Sequence, residues 1–240
     1  MKKSKLLWLT FLINFLPAPV RYISQLTNKT YSSADWNWFL TNQQVFTVFG
    51  MLFSIILGAC YIFGMEYHHH TAAYVYTTPA SRKRLLTAKT IAVFLIIIFS
   101  HITSFIAVIV FGYLTVNKFI PVTLLLLYFK ASSLSILLYF SLTGLIGLIG
   151  TIIKKYAVSA ALIIGYILMI FPFHLKYSIA ICPFMLPAFI YSKIIGLNDI
   201  IFSGYKQFAI NYTVAAPMLL MLFIIPFIAV MQYVRKADTM

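Results

Sequence analysis

Two stretches of this chain, residues 45–65 and 91–116, contain no Lys, Arg, Asp or Glu and are apolar almost throughout. About 20 residues at ~1.5 Å rise reach across the ~30 Å hydrocarbon core of a bilayer, so each stretch is long enough to span one. Inside a bilayer the backbone must satisfy its own hydrogen bonds, which leaves helices and closed barrels as the available folds. A barrel would alternate apolar and polar positions over segments of about ten residues. These runs do not alternate, so the chain is expected to be an all-α integral membrane protein.

Composition agrees. Only 9 % of the 240 residues are charged and mean hydropathy is +0.96, against roughly 25 % charged in a soluble domain. No polar segment is long enough for a separate soluble domain. The formal net charge of +14 would suggest nucleic acid in a soluble protein. Here the cations sit at the ends of apolar runs, where they meet phosphate headgroups and set orientation, so nucleic acid is not expected as a partner. Cys60 and Cys182 both lie within apolar runs, which argues against a disulfide framework or a zinc site.

The pattern predicts one transmembrane domain over residues 1–240 with six spans, at about 6–23, 45–65, 91–116, 131–153, 156–173 and 212–234. Basic residues precede the first run, as in a signal peptide. However, Asn14, Pro17 and Pro19 interrupt it, and a span is the better reading. Residues 21–44 are expected as a polar loop carrying Trp36 and Trp38 at the interface. Residues 121–130 are expected as a lead-in to the fourth span. Residues 178–191 are apolar but short, with Pro183 and Pro187, and read as a re-entrant hairpin before the sixth span. Pro217 and Pro226 are candidate kinks in that span.

An even number of spans puts both termini on one side. Lys2, Lys3, Lys5, Arg82, Lys83, Arg84, Lys89, Lys154, Lys155, Arg235 and Lys236 then share that side. Arg21, Lys29, Lys118, Lys176, Lys193 and Lys206 fall on the other, in longer loops, and Lys130 is unassigned. The excess of Lys and Arg predicts that both termini are cytoplasmic.

Residues 66–89 form the longest polar stretch on that side. They hold Glu66, one of four acidic residues, three consecutive histidines, and four Lys or Arg residues. Thr78-Pro79 reads as a helix start, with a threonine cap and a proline whose missing N–H costs nothing there. Residues 71–77 could make a short helix, with Ala72, Val75 and Tyr76 offered to a partner. Arg82 and Lys89 can reach headgroups by snorkelling. Glu66 can pair with Arg82 or Arg84 across the turn. The plainer alternative is a basic loop that only sets topology. Consecutive ligands His68, His69 and His70 cannot converge on one ion from a helix, so no metal site is expected. Gly144, Gly147 and Gly150 recur every three residues in the fourth span and read as a helix-packing face. His101, alone in the third span, either faces a pathway or bonds to a neighbouring helix.

The series Glu66, Thr71 and Thr78-Pro79-Ala80-Ser81-Arg82 resembles the signature at the same place in permease subunits of ABC exporters of the second type. In those proteins a coupling helix follows the glutamate and a P-x-S-R element opens the third span. His70 stands where the family has glycine. The resemblance implies a role for Glu66, Tyr76, Thr78, Pro79, Arg82 and Arg84 in coupling to a cytoplasmic ATP-binding subunit. It also implies a second permease copy or a sibling permease, and ATP-Mg held by the partner rather than by this chain. Size and style resemble the short permeases that protect Gram-positive bacteria against lantibiotics and bacitracin or export amphipathic peptides. The implied location is the cell membrane.

The other classes have less support. Ion-coupled transporters usually place a carboxylate inside the membrane, whereas Asp35, Glu66, Asp199 and Asp238 all lie at run ends or in loops. The chain has no H-E-x-x-H or G-x-S-x-G motif and no paired carboxylates, so it is not expected to be an enzyme. A secondary transporter or channel, or a non-transporting membrane assembly protein, is the alternative reading.

Overall fold

A computed structural model describes residues 5–27, 35–68, 82–170 and 212–236, together with Phe184 and Pro187. All regular elements among them are helical: α1 (Lys5–Phe15), α2 (Pro17–Thr27), α3 (Trp36–His68), α4 (Arg82–Val116), α5 (Val122–Phe140), α6 (Thr143–Ile153), α7 (Tyr156–Ile170) and α8 (Tyr212–Lys236). Among the described residues, three segments are long and apolar enough to cross a membrane: Phe46–Tyr67, Arg84–Val116 and Val122–Ile153. Tyr156–Met169 and Leu220–Val230 are shorter apolar helices.

The first apolar run forms two helices rather than one. Pro17 and Pro19 sit in the first turn of α2, where proline is tolerated because those N–H groups have no intrahelical partner. Helical bonds from Leu16 N–H to the Leu12 carbonyl and from Val20 N–H to the Leu16 carbonyl carry the trace across the junction. Asn14 is buried, and its amide donates to Ser54 Oγ on α3 at 2.6 Å and to the Thr10 carbonyl at 2.7 Å. The residue that interrupts the run therefore ties α1 to α3.

The expected loop at 21–44 is largely helix. Asp35 caps α3, its Oδ1 accepting from the Trp38 N–H at 2.7 Å. The helix then runs through Trp36–His68, well beyond the apolar core of the span. Trp36 is buried rather than interfacial. Its Nε1 donates to the Lys118 carbonyl at 2.9 Å, and its ring lies where a side chain on Gly112 would stand. The lead-in at 121–130 is helix as well, starting after Pro121. Between α5 and α6, Ser141 Oγ donates to the Leu138 carbonyl at 2.6 Å and Thr143 Oγ1 donates to the Phe140 carbonyl. These hydroxyls compete with the helical ladder and mark its tightened turn.

The middle of α3 is the centre of the fold. Leu52, Ile55, Ile56, Ala59 and Cys60 are fully covered by Val93 and Ile97 of α4, Leu142 and Ile146 at the start of and within α6, and Ile163 and Ile167 of α7. A second cluster, Trp36, Phe39, Leu40, Val108 and Tyr128, closes the opposite end. Of the expected hairpin at 178–191, only Phe184 and Pro187 are described. Both are buried, and the Phe184 ring lies 6.4 Å from that of Tyr166.

The glycine face of α6 works as close-packing surface. A Cβ on Gly144 would lie 2.5 Å from the Phe223 carbonyl oxygen of α8, and one on Gly147 3.1 Å from the Phe63 ring of α3. At Gly150 the nearest atom is 3.6 Å away, at Cys60. We therefore expect Gly144→Val to destabilise the detergent-solubilised chain by about 1–3 kcal/mol through overpacking against backbone. Gly150→Ala should unfold thermally like the parent. Equal melting of both variants would contradict the packing.

Candidate functional site

The two helices flanking residues 69–81 meet at a buried ion pair. Lys89 Nζ lies 2.8 Å from Glu66 Oε2, and the two side chains are 11 % and 7 % exposed. Glu66 is on the last full turn of α3 and Lys89 on the second turn of α4, so antiparallel packing brings them level. The Lys89 ammonium also stands 5.8 Å from the centre of the Phe63 ring, a favourable place for a cation.

Other cations gather at this end. The two-residue turn between α6 and α7 begins at Lys154, which has φ 61°, a left-handed conformation costing a non-glycine residue roughly 1–2 kcal/mol. Its ammonium lies 5.9 Å from the centre of the Tyr67 ring. Gly64 lets Tyr156 approach, a Cβ there being 3.3 Å from the Tyr156 backbone. Arg84 is exposed on the first turn of α4, and α8 ends with Arg235 and Lys236. Arg21, by contrast, lies at the far end, 4.8 Å from the Trp38 ring.

The sequence-predicted coupling residues divide. Glu66 lies in the last turn of α3, paired with Lys89, and Arg84 lies in the first turn of α4. Tyr76, Thr78 and Pro79 lie outside the described residues, as do the side chains of Arg82 and His68 and the whole of His69 and His70. Sequence reasoning counted Lys89 among the snorkelling residues and in the charge tally, and offered Arg82 and Arg84 as partners for Glu66. The signal of Lys89 was positional: it is the cation nearest the apolar part of the third run, as Glu66 is the acid nearest that of the second.

A second polar cluster lies mid-bundle. His101 Nδ1 is 3.0 Å from the Ile97 carbonyl, which can only accept, and Nε2 is 2.6 Å from Ser135 Oγ on α5. Ser135 Oγ is also 2.7 Å from the Ser132 carbonyl, and the Tyr139 hydroxyl donates to the Val48 carbonyl of α3 at 3.2 Å. The cluster joins α3, α4 and α5 around a cavity of about 10 Å³, the size of one water. Among the described residues no three His, Cys, Asp or Glu side chains come together as metal ligands.

Removing Lys89 takes away an ammonium that the buried Glu66 carboxylate is paired with. Lys89→Met should therefore lower stability, by up to about 3–5 kcal/mol. Adding Glu66→Gln to it should recover part of the loss, as read by thermal unfolding in detergent. A double variant no more stable than Lys89→Met would show that the pair does not act as a unit.

Comparison with known proteins places this arrangement. Residues 1–172, which include α1 to α7, match the family model described as ABC-2 family transporter protein. Neither the curated proteins nor the solved structures give a match to the chain.

Proposed function

Because the chain belongs to the ABC-2 transporter family, it is a membrane permease of an ABC transporter, and we propose that it is an exporter half driven by a separate cytoplasmic ATPase subunit. The observation that carries this reading is the buried Glu66–Lys89 pair at the base of α3 and α4. It joins the two helices between which the push of a motor would enter, at the end where the cations gather. In this reading residues 66–89 couple the permease to the motor. Tyr76 supplies an apolar contact to the motor, Thr78 and Pro79 start the helix that continues as α4, and Arg82 and Arg84 hold the junction. ATP-Mg belongs to the motor subunit.

The rest of the reading follows from the sequence. Six spans form one half of a pathway, completed by a second copy or a sibling permease. The chain lies in the cell membrane of a Gram-positive bacterium with both termini cytoplasmic. The 9 % charged and 17 % aromatic residues are compatible with export of an amphipathic or lipid-like cargo, with antimicrobial peptides as the class to test first.

Orientation is checked with single cysteines at Ser33 and Ser81 in a chain carrying Cys60→Ala and Cys182→Ala. An impermeant thiol reagent on intact cells should label Ser33→Cys and spare Ser81→Cys. The reverse pattern would invert the arrangement.

Coupling is checked with the ATPase subunit co-expressed. Arg82→Ala should leave the amount of permease unchanged while separating ATP hydrolysis from transport or resistance. Glu66→Ala should do the same per molecule of folded permease. Tyr76→Ala should weaken association of the motor. Variants that accumulate and protect cells like the parent would reduce residues 66–89 to a topology signal.

A further inference from the structure

A cavity of about 920 Å³ opens on the flank of the bundle between α1, α3 and α4, with almost wholly apolar walls. Trp8, Leu95, Phe99 and Ile102 line it, and each is at least 50 % exposed. Phe11 and Tyr61 complete the walls. In a chain that crosses a bilayer such a groove faces acyl chains rather than water.

Its length and position narrow the occupant. Along α4 the lining runs from Ala92 to Ile102, ~15 Å of helix. That is about half of the ~30 Å hydrocarbon core, the depth of one leaflet. The groove begins one turn beyond Lys89, at the basic end, and stops while α4 continues to Val116. A partner's spanning helix would need a surface of twice that length. Trp8 is part of the wall, its ring 5.9 Å from that of Phe11.

The basic end supplies the complementary charge. Arg84 is exposed and lies two turns before Ala92 on the same face of α4. We propose that this groove holds one acyl chain of an anionic phospholipid from the leaflet at the basic end, its phosphate lying against Arg84. The bound lipid fills the side of the bundle that α1 and α4 leave open, and it is independent of the cargo.

The test uses the full chain in vesicles, with Trp8 as the sole tryptophan after Trp36→Phe and Trp38→Phe. Chain-brominated phosphatidylglycerol and phosphatidylcholine are titrated as quenchers in unbrominated phosphatidylcholine. Half-quenching should require about fivefold less phosphatidylglycerol, the preference that one basic residue near an anionic headgroup provides. Arg84→Gln should abolish that preference, and Ala92→Phe should weaken quenching by both lipids. Equal potency of the two lipids, or an unchanged preference in Arg84→Gln, would overturn the proposal. So would unquenched Trp8 with Leu95→Cys chains cross-linking to one another, since a second copy would then cover the groove. The unmodified chain provides an independent check, because Trp36 is part of the core. Native mass spectrometry should find an anionic phospholipid retained by the parent and lost from Ala92→Phe, and equal retention would also overturn the assignment.

Discussion

Hydrocarbon offers helices no hydrophobic reward for leaving it, so a bundle in a bilayer is held by how closely its backbones approach and by its few interhelical hydrogen bonds. In this chain both devices converge on α3. Gly144 and Gly147 let α6 bring α8 and the Phe63 ring together, and Gly64 admits the start of α7. Asn14 reaches Ser54 from α1, and Tyr139 reaches the Val48 carbonyl from α5. The apolar residues of α3 face neighbours on nearly every side, and that explains why its pattern shows no amphipathic period. Such a helix is the element the others are referred to.

The polar groups are placed to reinforce this arrangement at three depths. Trp36 bonds the Lys118 carbonyl at one end, His101 and Ser135 join α4 to α5 in the middle, and Glu66 meets Lys89 at the other end. Each bond links residues distant in sequence, and each lies beside an apolar cluster or ring. The α3–α4 pair is thus fastened at both ends, with α5 tied to it in the middle.

Much of this was legible in the sequence, for a physical reason. Length and absence of charge define a membrane helix almost alone, so the runs at 45–65, 91–116 and 212–234 locate the middles of α3, α4 and α8. Helix ends were less visible, because a helix can continue past the hydrocarbon with polar residues on it. Trp36, Asn37 and Gln43 belong to α3 for that reason, and the Asp35 cap was the signal that would have placed its start. The glycine spacing announced a packing face but could not name Phe63 and Phe223 as what it packs on. Proline was ambiguous too: Pro17 divides the first run by starting a helix, while Pro217 and Pro226 lie inside α8.

The candidate site shows the same division. Glu66 could be singled out because an acid at the edge of an apolar run is rare here, and cations were plentiful on the facing edge. Choosing among those cations needed the register of α3 against α4, which no local pattern encodes. Register is set by the contacts of Ile55, Ile56 and Ala59 with Val93 and Ile97. Once those contacts are made, Lys89 is the cation level with Glu66, and Arg84 stands more than one turn further out. The apolar core therefore selects the ion pair, not the reverse. Lysine suits the place chosen: a single point charge on a flexible stem can meet one carboxylate oxygen while its stem lies against apolar neighbours. Arg84, in the first turn of α4, is exposed instead.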